Sequence, residues 1–137
     1  MTYLLDKSAW EQAPHSADAA KRITDDIRRG DLAICTMTAL EILYSARNSE
    51  AYKRDLGHLL RLPWVDLTEP RKAVEVQSEL ARRGQHRTSI PDVIIAATAA
   101  EHGLTILHYD SDYERLGDAA GAAQEWIVPR GKGHGKR

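Results

Sequence analysis

The sequence has little of what membrane, secreted or zinc-binding proteins require. Cys35 is the single cysteine among 137 residues, so no disulfide can form within the chain, which favours a reducing compartment. No apolar run approaches the roughly 18 residues of a membrane span. Residues 1–6 lack a basic segment and reach an acid early, unlike a signal peptide. These absences predict a cytoplasmic protein without a membrane partner.

Common ligand-binding signatures are also missing. The glycines are scattered, and no G-x-x-x-x-G-K-[ST] phosphate loop occurs. The six histidines show neither metal-ligand spacing nor cysteine partners. The three tryptophans are dispersed and form no evident platform for stacking single-stranded bases. We therefore expect neither a nucleotide-binding loop nor a zinc centre.

What is present indicates one globular domain and a basic tail. A chain of 137 residues, 42% of them hydrophobic, buries about two-thirds of its unfolded surface. The net charge of −1 combines +4 in the last nine residues with −5 in the body of the chain. We expect residues 1–128 to form the domain and residues 129–137, basic and rich in glycine, to be disordered. The tail could add salt-dependent affinity for RNA or serve only as a solvated end.

Short apolar segments alternate with amphipathic segments along the chain. This alternation predicts an α/β fold with three layers, in which helices cover both faces of a short, mostly parallel sheet. Thr38 and Glu41 fit a capping box, which predicts a helix beginning at Thr38. The predicted strands are residues 3–5, 32–35, 64–67, 105–108 and 125–128.

Acidic residues follow the predicted strands at the edge where ligands bind in such sheets. Asp6 closes the first strand, and Glu41 lies in the first turn of the helix after the second. Asp92 begins a buried helix, and Asp110 and Asp112 follow the next strand. Carboxylates gathered in one crevice would repel each other unless a cation neutralised them, and Mg²⁺ prefers oxygen ligands.

Each acid also has a purely structural interpretation. Glu41 could only complete the capping box, and Asp92 could only sit at the positive end of a helix dipole. Asp110 and Asp112 could be turn and N-cap residues. These interpretations do not explain why all of the acids fall at the same predicted edge.

The ordered set of motifs resembles the PIN-domain ribonucleases, and more narrowly the VapC toxins of bacterial type II toxin–antitoxin modules. The resemblance covers about residues 1–128. It rests on Leu4-Leu5-Asp6, on Thr38 with Ala39-Leu40-Glu41-Ile42, on Ile90-Pro91-Asp92 followed by Ile94-Ile95-Ala96-Ala97, and on His108-Tyr109-Asp110-Ser111-Asp112-Tyr113.

The resemblance implies an endoribonuclease that depends on Mg²⁺ or Mn²⁺ and is silenced by a VapB-type antitoxin. It also implies a homodimer. By position, Asp6, Glu41, Asp92 and Asp110 match the family's catalytic acids, and Asp112 matches an additional acid. We take Asp6 and Asp92 as the principal metal ligands. Glu41 and Asp110 would complete the shell or orient the attacking water, with Asp112 as a further metal ligand.

Other interpretations remain open from the sequence. Arg87, just before the Asp92 helix, could bind an RNA phosphate or simply be solvated. The domain could be a PIN-like module that binds RNA or protein without catalysis. A receiver-like phosphoacceptor domain would carry a pair of adjacent acids after the first strand, whereas Lys7 follows Asp6. A flavodoxin-like protein would need a phosphate loop after that strand.

Overall fold

A parallel sheet with the strand order β2-β1-β3-β4 forms the centre of the computed structural model, which describes residues 1–134. Leu4 of β1 pairs with Ala33 on one side and with Ile106 on the other, so β1 and β3 occupy the middle of the sheet. The predicted α/β fold with a parallel sheet is confirmed. The strands are β1 (Tyr3–Leu5), β2 (Leu32–Ala33), β3 (Thr105–His108) and β4 (Gln124–Trp126).

Seven α-helices and one short 3-10 helix connect and cover these strands within residues 1–134. Gly30 ends the second helix in a left-handed conformation, with φ of 70°, as its position after the apolar stripe predicts. The helices are α1 (Lys7–Trp10), the 3-10 helix (Ala13–His15), α2 (Ala17–Arg28), α3 (Thr36–Tyr44), α4 (Ser49–Leu59), α5 (Arg71–Arg82), α6 (Ile90–His102) and α7 (Asp112–Ala120).

Two apolar cores lie on opposite faces of the sheet. Successive side chains of a strand point to opposite faces, so Leu4 and Leu5 of β1 enter different cores. Leu5 packs with Ile23 of α2 and with residues of α3 and α4. Leu4 packs with Ile95 of α6 and with residues of α5 and α7. The two cores hold the strand ends, and therefore the residues that follow them, in a fixed arrangement.

Helix α3 begins earlier than the capping box predicts. Its N-cap is Cys35, and the Asp66 carboxylate accepts hydrogen bonds from Thr36 N at 2.7 Å and Thr36 Oγ1 at 2.8 Å. Thr38 is buried inside the helix, and its hydroxyl lies 3.5 Å from Cys35 Sγ. The predicted capping box of Thr38 and Glu41 is therefore wrong, because a residue distant in sequence caps the helix. Burial raises the pKa of the Cys35 thiol.

Three predicted strands differ from the structure. The predicted strand 32–35 is shortened to β2, which spans Leu32–Ala33. The segment 64–67 makes only an isolated parallel bridge between Trp64 and Ile34. The last strand is displaced toward the N-terminus, because pairing of His108 with Trp126 fixes its register. Ile127 and Val128 follow β4 and enter the core beside Leu5 instead of extending the strand.

The beginning of the C-terminal tail makes hydrogen bonds to the body of the domain. Gly131 N and Gly133 N donate hydrogen bonds to the Tyr109 hydroxyl, and His134 N donates to Gln12 Oε1. The disorder expected for residues 129–137 stays a prediction: residues 129–134 make these contacts, and residues 135–137 lie outside the described part of the chain. No helix among the described residues has the length and apolar character to cross a membrane.

Candidate active site

Asp6 occupies the centre of the carboxyl edge of the sheet, directly after β1. It is the N-cap of α1, and its Oδ2 accepts hydrogen bonds from Ser8 N at 2.9 Å and Ser8 Oγ at 2.5 Å. Ser8 Oγ in turn accepts a hydrogen bond from Tyr109 N at 2.8 Å. Asp6 is only 4% exposed, so its carboxylate is held in one position by the turn it caps.

The structure brings all five predicted acids to this edge. Oxygen atoms of Asp6, Glu41 and Asp92 lie within 4.8 Å of one another, and so do oxygen atoms of Asp92, Asp110 and Asp112. Asp92, in the first turn of α6, belongs to both groups. The acids thus form two neighbouring clusters that share Asp92, and each is spaced closely enough to hold a metal ion.

The hydroxyl of Tyr113 lies between the carboxylates of Asp6 and Asp92. It lies 2.6 Å from Asp6 Oδ1 and 3.1 Å from Asp92 Oδ1, and the side chain of Tyr113 is completely buried. A hydroxyl has a single hydrogen, so the shorter contact to Asp6 takes most of its donation. Burial and the two neighbouring carboxylates raise the pKa of Tyr113 well above its usual value, which keeps the hydroxyl protonated.

Sequence reasoning did not assign this role to Tyr113. The available signal was the three-residue spacing between Tyr113 and Leu116, which places these two side chains on the buried face of α7. That spacing identifies a buried tyrosine, but only the packing of α7 against α6 brings its hydroxyl between two carboxylates.

Two carboxylates of the first cluster, those of Asp92 and Glu41, are harder to ionise than isolated acids. Burial, and then the charge of Asp6, raise the pKa of Asp92 to about 7, with further contributions from Glu41 and Asp110. Burial and the charge of Asp6 also raise the pKa of Glu41. These shifts mean that full ionisation of the cluster costs free energy, which a bound cation would offset.

Asp110 and Asp112 differ in how they are held. Asp110 Oδ1 accepts a hydrogen bond from Asp112 N at 2.9 Å, as in a tight turn. Asp112 forms an ion pair with Arg115, with Nη1 and Oδ1 3.0 Å apart. The charge of Asp112 is thus partly neutralised by the protein itself.

The remaining predicted residues have clear positions. His108 is buried; its Nδ1 accepts from Asp110 N at 3.0 Å and its Nε2 lies 2.6 Å from Gln124 Oε1. Burial lowers the pKa of His108, which favours the neutral ring. Arg87 is exposed in the loop before α6, and its role in binding RNA stays a prediction.

Comparison with known proteins identifies the family. A family model described as the PIN domain matches residues 3–119. Ribonuclease VapC21 of Mycobacterium tuberculosis is 40% identical to this chain, over 94% of this chain and 96% of the relative. Ribonuclease VapC51 of the same species is 37% identical, over 96% of each chain.

Solved structures share the fold at lower identity. A chain of VapBC2 from Rickettsia felis, bound to a DNA fragment from its promoter, superposes with a TM-score of 0.77 at 19% identity, covering 92% of this chain and 98% of its own. A chain of DNA-bound VapBC from Salmonella typhimurium gives 0.73 at 22% identity, covering 93% of this chain and 99% of its own. With its parallel sheet, its acidic edge and these relatives, the chain belongs to the PIN-domain family and, within it, to the VapC ribonucleases.

Proposed function

We propose that this chain is the toxin of a VapBC-type module and hydrolyses RNA phosphodiester bonds as an endoribonuclease that depends on Mg²⁺, with Mn²⁺ as a substitute. The observation that carries the proposal is the convergence of Asp6, Glu41 and Asp92, whose oxygens lie within 4.8 Å of one another. A binding module would have no need for three carboxylates at this distance.

The residues present fit a hard divalent cation. The available ligand atoms are carboxylate oxygens, which Mg²⁺ and Mn²⁺ prefer over nitrogen or sulfur. Burial and the charge of Asp6 raise the pKa values of both Asp92 and Glu41. A bound cation would favour the charged form of each carboxylate and so offset these shifts. Few protein ligands also leave room for substrate phosphate oxygens, as is usual for Mg²⁺ sites.

The burial and pKa of each carboxylate determine the role that we propose for it. A bound divalent cation would orient the scissile phosphate, lower the pKa of a water and offset charge that develops on the phosphate. Asp6 and Asp92 are the principal ligands in this proposal. Glu41 is partly exposed and has a raised pKa, which suits a group that accepts a proton from the attacking water.

The second cluster supports the first. Asp110 completes the ligand shell or orients the water from the turn after β3. Asp112 contributes as a further ligand, although its pairing with Arg115 weakens its attraction for a cation. Arg87, exposed in the loop before α6, is proposed to contact a phosphate of the RNA.

The decisive experiment compares cleavage of a mixture of structured RNAs by the native protein and by Asp92→Asn. We expect cutting with Mg²⁺ or Mn²⁺, none with EDTA, and at least a hundredfold loss in the variant. Asp18→Asn, the same change at an exposed position of α2, is the matched control and should cut normally.

Binding of Mn²⁺, measured by electron paramagnetic resonance, gives a readout that needs no substrate. Native protein and Asp18→Asn should bind the ion, and Asp92→Asn should bind it weakly or not at all. Cutting that persists in Asp92→Asn, or in EDTA, would contradict the proposal. A folded protein that binds no Mn²⁺ and cuts no RNA would instead be a PIN-like binding module.

The proposal includes protein partners. The structural relatives include chains from VapBC complexes and from FitAB complexes, which supports a VapB-type antitoxin as the cognate inhibitor. We also propose a homodimer and a cytoplasmic site of action, where both RNA and Mg²⁺ are available.

A further inference from the structure

The beginning of the tail contacts the body of the domain as a strap, which we define as residues 129–134. The Tyr109 hydroxyl accepts hydrogen bonds from Gly131 N at 3.1 Å and Gly133 N at 2.8 Å. The Gln12 side chain donates to His134 O at 2.7 Å and accepts from His134 N at 2.6 Å. Gln12 and Tyr109 are buried, so these four bonds join the strap to the body of the domain.

The strap requires glycine at its closest approach. A Cβ atom at Gly133 would collide with the Tyr109 ring and lie 2.6 Å from Gln12 Oε1. Both neighbours are buried and have little room to move. The position therefore offers a way to displace the strap with one methyl group.

His134, the last residue of the strap, lines a cavity of about 500 Å³ beside the candidate active site. This volume lies within the range of about 300 to 1,000 Å³ that is typical of small-ligand sites. Ser8, which donates to Asp6, also lines the cavity, so the two sites share a wall. The cavity is lined by Lys7, Ser8, Trp10, His15, Tyr109 and His134, among others.

The lining favours a flat, uncharged group with N–H donors. The rings of His15 and His134 stack with centroids 3.9 Å apart and planes 23° apart, and both side chains are exposed. The carboxylates of Glu11 and Asp55 also line the cavity, where they would repel a phosphate and accept hydrogen bonds from amino groups. Lys7 is already paired with Glu11, its Nζ 3.2 Å from Oε1.

We propose that this cavity is a subsite for an unpaired base of the RNA substrate, next to the phosphate that is cut, and that the strap completes it. The inference rests on the proposed ribonuclease function. A base would stack on the imidazole or indole rings while its sugar-phosphate backbone passes over Ser8 to the carboxylates. The subsite would make the enzyme selective for the nucleotide at that position.

The first test compares the positions at which a random-sequence oligoribonucleotide pool is cut, read by sequencing the products. Gly133→Ala should flatten the nucleotide preference at one position near the cut and raise KM by about fivefold or more, the loss of one stacked base. The kcat should change little. Gly57→Ala, where a Cβ meets nothing within 4 Å, is the matched control and should keep the native profile.

A second variant removes the ring and leaves the backbone bonds of the strap in place. His134→Ala should therefore fold normally and show the same flattened preference. Cross-linking supplies a readout without cleavage. An oligoribonucleotide containing 4-thiouridine, irradiated with full-length Asp92→Asn, should label peptides that contain Trp10 or His134.

The outcomes separate the two proposals. If native protein cuts RNA with Mn²⁺ but both strap variants keep the native preference and KM, the subsite is overturned and the ribonuclease stands. Cross-links found only outside the cavity would overturn it as well. If native protein neither cuts RNA nor binds Mn²⁺, the proposed function itself fails.

Discussion

Asp92 lies in both carboxylate clusters, and its ionisation is opposed by burial and by Asp6, Glu41 and Asp110. Its pKa of about 7 stands above the usual value of 3.8 for an unfolded chain. A group whose pKa is raised on folding binds its proton more tightly in the folded state. Without metal, the free energy of unfolding should therefore fall as the pH rises from about 4 to about 7.

Asp92→Asn should then be more stable than the native protein in EDTA at pH 8. After allowance for solvent screening, we expect a gain of the order of 2 kcal/mol in the free energy of unfolding, shrinking toward pH 5, where Asp92 is already protonated. Urea denaturation at both pH values measures it. Equal stability of variant and native protein at pH 8 would show that folding does not disfavour the charged form of Asp92. Asp18→Asn is the control.

Tyr113 should affect the metal site without touching a metal. Tyr113→Phe keeps the packing but removes the hydroxyl, 2.6 Å from Asp6 Oδ1, that fixes the carboxylate. Partners that orient ligands in this way typically contribute about 10- to 100-fold to metal affinity. We expect the Kd for Mn²⁺, measured by titration, to rise within that range. Tyr44→Phe, at a side chain 91% exposed, should leave it unchanged.

At the scale of elements, Glu101 connects α6 to the start of α5. Its carboxylate accepts hydrogen bonds from Thr68 N at 2.8 Å, Thr68 Oγ1 at 2.8 Å and Glu69 N at 3.2 Å. The backbone bond from Thr68 is the main cause that lowers the pKa of Glu101 to about 2. A lowered pKa means that this stabilisation is present above about pH 4.5 and is lost as the pH falls toward 2.

Glu101→Gln should accordingly lower the melting temperature at pH 7, because the amide makes weaker and fewer acceptor contacts. The difference from the native protein should narrow between pH 5 and pH 2. Differential scanning calorimetry across that range tests the prediction. A difference that stays constant with pH would show that the charge of Glu101 has no part in holding the two helices. Glu50→Gln, on the exposed first turn of α4, is the control.

Local patterns predicted the elements well where the cause was local. The strands Tyr3–Leu5 and Thr105–His108 agree with the predicted apolar segments, and Asp6 follows its strand as predicted. The start of α3 was wrong because Asp66, which caps it, is 30 residues away from Thr36. The register of β4 is likewise set by its pairing with β3 and not by its own sequence.

The same distinction applies to the candidate site. The strand-end rule predicted that Asp6 and Asp110 would lie at the same edge of the sheet, because each follows a predicted strand. Tyr113 and the strap were missed, since each depends on a contact between distant segments. The Gly133 N to Tyr109 hydroxyl bond spans 24 residues, and no local pattern in the tail indicates it.

At the scale of the whole molecule, α3 presents an exposed apolar surface beside the acidic edge. Leu40 is 56% exposed and Tyr44 is 91% exposed, and they flank Glu41 at a helical spacing that places them on one face. Exposed apolar side chains next to each other favour association. We expect this face of α3 to contribute to the proposed homodimer.

Tyr44→Glu should shift the protein toward monomer, because association would bury a charge. Size-exclusion chromatography with light scattering measures the mass. Leu60→Glu, at a side chain 64% exposed at the end of α4, is the control and should keep the native mass. A dimer that withstands Tyr44→Glu would place the interface elsewhere.

The rate at which a thiol reagent labels Cys35 reports local opening of the native protein. The thiol lies at the junction of β2 and α3, is 1% exposed, and has a pKa raised by burial. A thiol reagent therefore reaches it only when this junction opens. Since α3 also carries Glu41, the labelling rate of the native chain measures how often the acidic edge comes apart. A divalent cation that binds there should slow the labelling in proportion to its occupancy, with no engineered probe required.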